Sequence, residues 1–302
     1  LHRLISQKIP KVAARVGEFA LLYRVKYLLA IAIFICSVSD ALGQNENWDT
    51  YLAKFDGKPG SIMVDLAQFD KAPDKRYPFL VITGPQARSI DKNGIPDKEE
   101  IDALEGVLDA TTSFLTGVTA EVLTGTFTYN GKRVNYYYVR DTMGVRTAVQ
   151  RLYNRNYKEY KYVLTIKSDP QWLTYLTFLY PSEQNQNWME NEKIMAGMLE
   201  KGDSLTRKRN IVFQTLFKTD TARSAFMDFV LAHGYKTEKM ATVEKISSPY
   251  VYSFYKYDAV KMDSLSVWTD EIKQQVKSHD GLYSGWTAPL FQSDNIILPV
   301  KR

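Results

Sequence analysis

Residues 121–140 read EVLTGTFTYNGKRVNYYYVR, and their punctuation sets the fold class. Asn130-Gly131 suits a two-residue hairpin turn, whose central positions both need positive φ. Glu121–Thr128 and Arg133–Arg140 flank it and are rich in Thr, Val, Phe and Tyr, so the spacing predicts two antiparallel strands. Upstream, Asp91-Lys92-Asn93-Gly94 is a turn, and Pro96 and Asp97 open a helix. Glu100 stands three residues after Asp97, the D-x-x-E arrangement of a capping box. Ile101, Leu104, Val107, Leu108, Phe114 and Leu115 then recur at helical spacing to about Val118. Ser61–Leu66 and Tyr77–Thr83 read as strands before this helix. Val145, Val149, Leu152 and Tyr153 mark a second helix, and Tyr160–Ile166 a further strand. The order β-β-α-β-β-α-β belongs to an α+β domain with an antiparallel sheet and helices on one face.

Residues 170–188, PQWLTYLTFLYPSEQNQNW, read as a joint bounded at first by Pro170 and Pro181. Beyond it, Ile194, Met198 and Leu199 make a helix closed by Gly202. Asn210–Lys218 is a strand, and Thr219–His233 a helix capped by Thr219 or Asp220 and stopped by Gly234. Thr237–Ile246 and Tyr250–Tyr257 form a strand pair around Ser247-Ser248-Pro249. Asp263–Ser278 is a helix, followed by a tail with room for a last strand. From Asn210 this is a ferredoxin-like split βαβ order. The expected fold is therefore α+β, with two ferredoxin-like-type domains, each an antiparallel sheet with helices on one face. The expected boundaries are 44–181 and 182–293, with a tail at 294–302 and a leader at 1–43. The two halves share element order and not residues.

The leader holds most of the charge imbalance. The 302 residues carry 39 Lys+Arg against 34 Asp+Glu, a net charge of +5. Arg3, Lys8, Lys11, Arg15, Arg24 and Lys26 lie in residues 1–43 with only Glu18 and Asp40, so residues 44–302 carry 33 cations against 32 anions. That near-neutral remainder argues against nucleic-acid binding. Residues 27–38, YLLAIAIFICSV, are an apolar run of twelve, short of the roughly 20 that span a bilayer. Arg24 and Lys26 precede it, and Ala41-Leu42-Gly43 offers small residues for a cut before Gln44. The expectation is a secretory signal peptide and a periplasmic or secreted chain, with no stable membrane span after cleavage. A lipoprotein signal is excluded by Ile35 ahead of Cys36. No Met precedes Met63, and a GTG start at Val25 would give an ordinary signal peptide with residues 1–24 as upstream translation. Cys36 is the sole cysteine, so residues 44–302 have no disulfide, thiol nucleophile or cysteine zinc site.

Two resemblances rest on short motifs. Lys201-Gly202-Asp203, the strand Ile211–Phe217, the helix with Phe226 and His233-Gly234-Tyr235, and Gly281-Leu282-Tyr283-Ser284-Gly285-Trp286 together resemble the regulator of ribonuclease E activity B (RraB) family. That family ends in a Tyr-Asp-Gly-Trp signature, here Tyr283-Ser284-Gly285-Trp286 with Ser in place of Asp, which weakens the carry-over of a partner contact there. The first half resembles the domain-of-unknown-function family numbered 695. Its marks are Gly60-Ser61-Ile62-Met63-Val64-Asp65-Leu66, Tyr77-Pro78, Asn93-Gly94-Ile95-Pro96 with Glu99-Glu100, and Leu179-Tyr180-Pro181. The first-half family implies no known activity. RraB implies a small non-catalytic domain that inhibits a ribonuclease by binding it.

The residues themselves offer no catalytic, cofactor or metal site. His233 and His279 each follow a helix, where a cation suits the dipole. No H-E-x-x-H, G-x-S-x-G, Walker or Rossmann pattern occurs. Counted from Asp91, the glycine falls at position 4 and Asp102 at position 12, which fails the calcium loop's requirement for Gly at 6 and Glu at 12. Tyr136-Tyr137-Tyr138 is a run whose neighbours face opposite sides of a strand, so at least one ring is expected at the surface or an interface. Trp172, Tyr175 and Tyr180 crowd the joint, and Tyr250, Tyr252 and Phe254 share one strand face; filling of the sheet–helix core and the interdomain seam is the commoner use of such rings. Arg207-Lys208-Arg209 reads as a solvated basic loop. The expected function is an exported, non-catalytic protein that binds an unknown protein partner. Tyr283, Gly285 and Trp286 are its candidate contact residues, with core packing the bland role for Trp286. The alternatives are a cytosolic ribonuclease-inhibitor-type regulator, and an envelope carbohydrate-binding protein or hydrolase supported by the aromatic rings.

Overall fold

The computed structural model describes residues 46–244 and 246–291, so the expected leader and tail lie outside it. Two antiparallel sheets build the chain. The first contains β1 (Trp48–Phe55), β2 (Lys58–Asp65), β3 (Phe79–Pro85), β4 (Glu121–Tyr129), β5 (Lys132–Val139) and β6 (Tyr162–Ser168), in the order β1-β2-β4-β5-β3-β6. Helices α1 (Lys98–Thr116) and α2 (Val145–Asn156) pack on it. Helix α3 (Glu183–Glu200) leads to the second sheet, made of β7 (Arg209–Phe217), β8 (Lys236–Thr242), β9 (Tyr250–Asp258) and β10 (Gly281–Thr287). Its order is β10-β7-β9-β8, with α4 (Asp220–Ala232) and α5 (Met262–Ser278) between its strands. The strand order of the second sheet is thus fourth-first-third-second. Taken from β3, the first sheet repeats that order, with the β1–β2 hairpin added beside β4.

The Asn130-Gly131 turn forms as its residue types require, with φ of 47° and 75°. A strand unmarked in the sequence reading, β1, pairs with β2 through a second such turn at Asp56-Gly57, where φ is 48° and 78°. Asp97 caps α1 by accepting the Glu100 backbone N–H at 2.9 Å. The capping box stops there: the Glu100 carboxylate turns to the Arg88 guanidinium, 2.9 Å away, and also accepts the Arg88 backbone N–H.

The first sheet is covered on both faces, which corrects the expectation for the tyrosine run. Tyr137 joins Val81, Leu104, Val107, Val149 and Tyr153 beneath the helices. Tyr136 and Tyr138 face the other side, where Trp172, Tyr175 and Leu179 cover them. All three tyrosines are buried, because the segment read as a joint folds back as a lid on the sheet. Tyr138 stacks on Trp172 with centroids 4.0 Å apart and donates its hydroxyl to Asp169 at 2.8 Å. Such a ring pair contributes about 0.5–1.5 kcal/mol beyond the burial of its area.

In the second sheet, Ile211, Phe213, Phe217, Tyr252 and Phe254 point to a core closed by Phe226 and Val230 of α4 and by Leu265, Ile272 and Val276 of α5. Arg209 shares the inward parity of β7, so it is not the solvated loop residue expected of Arg207-Lys208-Arg209. It is fully buried in an ion pair with Asp203. Helix α3 serves both cores. Met189 packs with the first, and Met198 with the second. Lys193 of the same helix pairs with Asp49 of β1 at 2.6 Å.

Candidate protein-contact surface

The segment GLYSGWT at residues 281–287 forms β10, an edge strand paired with β7. Strict alternation would put Tyr283 and Trp286, three apart, on opposite faces. The register instead shifts between Tyr283 and Gly285. Gly285 takes φ 109° there, a conformation that glycine adopts without a Cβ penalty. The bulge turns Tyr283 opposite Thr215 and Trp286 opposite Phe213, both inward-facing positions of β7.

Trp286 is 4% exposed and belongs to the core. Its Nε1–H donates to Asn191 Oδ1 at 2.8 Å. Asn191 Nδ2 donates to Thr269 Oγ1 at 2.8 Å, and Asn187 Nδ2 donates to the same hydroxyl at 2.8 Å and to Asp270 at 2.7 Å. This buried network ties α3, α5 and β10 together. Tyr283 is half-buried, and its hydroxyl lies in the interior without a hydrogen-bond partner among the described residues. Burial pushes its phenol pKa up, with Glu190 and Tyr235 adding to the effect. Of the three candidate contact residues, Tyr283 and Trp286 therefore turn inward, and Gly285 shapes the outer side.

That outer side is the face of the second sheet opposite its helices. Val212, Gln214, Glu238, Ser253, Ser284, Gly285, Trp286 and Thr287 line a depression of about 270 Å3 there. Ser284 is exposed beside it, and this is the position where the sequence departs from the Tyr-Asp-Gly-Trp signature. Leu282 and Tyr257 add exposed apolar surface to the same sheet. The depression brings hydroxyl groups, an amide and one carboxylate together without a nucleophile–base pair. It can hold a partner's side chain; it has no group placed to activate one.

The histidines do what helix ends ask of them. His233 Nδ1 lies 2.8 Å from Phe229 O, and His279 Nδ1 lies 2.7 Å from Gln275 O. Asp91 spends its carboxylate on the Asn93 and Ile95 backbone N–H groups of its own turn. Among the described residues no group of three or more His, Cys, Asp or Glu side chains is gathered for a metal. No described helix is long and apolar enough to cross a membrane.

Comparison with known proteins bears on the two halves separately. No curated protein matches the chain. The crystal structure of an unknown protein from Galdieria sulphuraria is similar at 5% identity and a TM-score of 0.18, over 70% of this chain and 98% of that one, too low a score to carry an argument. Residues 46–180 match the family described as "Family of unknown function (DUF695)", and residues 188–287 match the family described as "Regulator of ribonuclease activity B". Each match falls on the half of the chain whose motifs suggested the resemblance.

Proposed function

We propose that the protein is exported and non-catalytic, and that it regulates another protein by binding it across the open face of its second sheet. The observation that carries this reading is that face itself. Helices and core lie on one side of β10-β7-β9-β8, and the other side bears the depression around Gly285 and Ser284. A family of unknown function joined to a regulator family fits a regulatory or binding protein. Regulation in the RraB family works through protein binding, which supports a protein as the partner here.

The finer parts of the proposal rest on the same residues. The fourth-first-third-second strand order supports a ferredoxin-like arrangement for both units, at residues 44–181 and 182–293. The apolar run before Ala41-Leu42-Gly43 supports a cleaved signal peptide and a periplasmic or secreted location. A cytosolic ribonuclease regulator is the second reading, favoured by the RraB match alone. Of the rings that suggested carbohydrate stacking, Tyr136–Tyr138, Trp172, Tyr175, Tyr252 and Phe254 are buried, and Tyr180 and Tyr250 are half-buried.

The test combines localisation with site-directed cross-linking in the source cell. A photo-cross-linker at Ser284 should join the chain to one defined partner, and Q214R on the same face should abolish that product. N-terminal sequencing should give a mature chain starting at Gln44 in an exported fraction. An uncleaved cytoplasmic chain cross-linked to a ribonuclease would favour the second reading. Cross-links only from sites remote from this face would refute the proposed surface.

A further inference from the structure

Both edge strands of the second sheet bulge at the same level. On β10 the register shifts between Tyr283 and Gly285, and Gly285 stands opposite Gln214. On β8 it shifts between Thr237 and Lys239, and Lys239 stands opposite Ser253. Gln214 and Ser253 pair with each other. One row therefore crosses the whole sheet, with an extra residue at each end, Ser284 on one side and Glu238 on the other. Thr237 points inward, its hydroxyl 2.9 Å from that of Tyr252. Strict alternation would turn Lys239 inward as well; the extra residue sets Glu238 and Lys239 together on the open face. Bulges of this kind re-aim side chains and are over-represented beside functional sites.

The depression lies on this row. Gln214, Glu238, Ser253, Ser284 and Thr287 line it, and none of their side chains has a hydrogen bond or ion pair among the described residues. Ser253 is 9% exposed, so a hydroxyl on a nine-tenths buried residue opens into the depression unused. Glu238 is the one charged side chain in the lining. The open face around it is uncharged: β7 presents Asn210, Val212, Gln214 and Leu216, which stand opposite Tyr257, Tyr255, Ser253 and Val251 of β9. The space, about 270 Å3, falls below the roughly 300–1,000 Å3 of small-molecule sites and suits a single side chain.

We infer that the depression receives an arginine side chain of the protein partner, with Glu238 as its counter-charge. This rests on the reading of the open face as the contact surface. A partner lying over the row strips water from the Glu238 carboxylate, and a covered, unpaired charge is costly, so the occupant has to be cationic. A neutral amide would satisfy the hydroxyls and leave Glu238 uncompensated. An acid would meet it with like charge. Arginine fits better than lysine, because its planar fork carries five donors against three, and the lining offers a carboxylate, an amide oxygen and three hydroxyls. Lys236 and Lys239 are exposed on the same strand, outside the lining; they are the rival counter-charges for Glu238.

The test is an amide-resonance titration of the isotope-labelled chain with three capped pentapeptides, Gly-Thr-X-Thr-Gly, where X is arginine, its neutral isostere citrulline, or glutamate. The arginine peptide should shift the signals of Gln214, Ser253, Ser284 and Gly285. The citrulline peptide should bind at least about tenfold more weakly, and the glutamate peptide more weakly still. E238Q should weaken the arginine peptide about tenfold and erase its advantage over citrulline, with signals away from the row unchanged. S284D adds a carboxylate at the other end of the row and should tighten the arginine peptide. K239Q should not weaken it. Equal binding of the arginine and citrulline peptides, no shifts on this row at about 10 mM peptide, or an E238Q chain that binds as the wild type does would each overturn the inference. Failure of the underlying reading looks different. A photo-cross-linker at Ser284 that captures nothing removes the contact surface, whereas one partner captured equally by wild type and E238Q removes only the arginine.

Discussion

Replacing Asp203 by Asn should cost the second sheet a large part of its stability. Asp203 is 2% exposed, and its carboxylate accepts from both Nη1 and Nη2 of Arg209, from Leu205 N at 2.7 Å and from Phe291 N at 2.8 Å. The Arg209 guanidinium is equally buried and also donates to Pro289 O at 2.9 Å. The amide keeps the shape and removes the charge, which strands a buried cation; such a loss costs about 3–5 kcal/mol. A smaller, separate figure comes from titration. The Arg209 hydrogen bonds hold the Asp203 carboxyl down at about 2. Against an unfolded value of about 3.9, that difference is worth about 2.6 kcal/mol. It is the smaller of the two because a protonated carboxyl keeps both oxygens, whereas the Asn amide sets an NH2 donor among the N–H donors of Arg209, Leu205 and Phe291. A depressed folded pKa stabilises above the unfolded value, so this contribution is complete above about pH 5 and disappears as pH falls from about 4 to about 2. Urea unfolding followed by tryptophan emission measures both effects. With a slope of about 2 kcal/mol/M, the D203N midpoint should fall by about 2 M at neutral pH, and its acid dependence should flatten. The double variant D203L/R209M, which removes both charges, should recover much of the loss. A D203N midpoint within about 0.3 M of wild type, or an unchanged acid limb, would refute the reasoning.

Trp286→Phe keeps one aromatic ring but loses part of the buried indole and its Nε1, leaving the buried Asn191 Oδ1 without its donor; the lost donor alone should cost about 1–3 kcal/mol by the same urea assay, with the cavity adding to it. Tyr138→Phe removes the hydroxyl that donates to Asp169 and accepts from Tyr175 N at 3.1 Å, and calorimetry should register a loss of similar size, about 1–3 kcal/mol, in the first sheet. Gly84→Ala would set a Cβ 2.1 Å from Arg133 O and 2.6 Å from Val134 Cα. Both are backbone atoms of the neighbouring strand, so the cost should reach or pass about 3 kcal/mol and be visible as poor soluble yield. An ordinary alanine-like response there would show that β3 and β5 can part locally.

Much of the fold was legible because local chemistry and tertiary structure agree. The Asn130-Gly131 turn, the Asp97 cap and the helix at Asp220–Ala232 are all where residue type demands them. The missed strand β1 had a signal of the same kind in Asp56-Gly57. The tyrosine run misled because periodicity shows that a strand has two faces and not what covers each; the lid at Trp172–Leu179 comes from a segment whose prolines read as a joint. Arg209 misled through its neighbours, since Arg207-Lys208-Arg209 looks like a surface run until β7 parity places Arg209 inward. The site was half legible. The segment around Gly285 stood out by its motif, but the inward turn of both Tyr283 and Trp286 depends on the register shift, which only pairing with β7 reveals.

Helix α3 runs from Glu183, its first turn capped by Ser182 accepting the Asn185 N–H, while the second family begins at residue 188. That match therefore begins inside a continuous helix. A fragment starting at residue 188 would lose the cap, the first turn and the Asn187 link to Thr269, and would present Met189 to water. A fragment ending at residue 180 would expose the surface that Met189 covers and leave Asp49 without Lys193. Modules that recombine freely end in loose connectors. Here the connector is a beam shared by both cores, so neither half keeps its packing when the chain is cut at either limit.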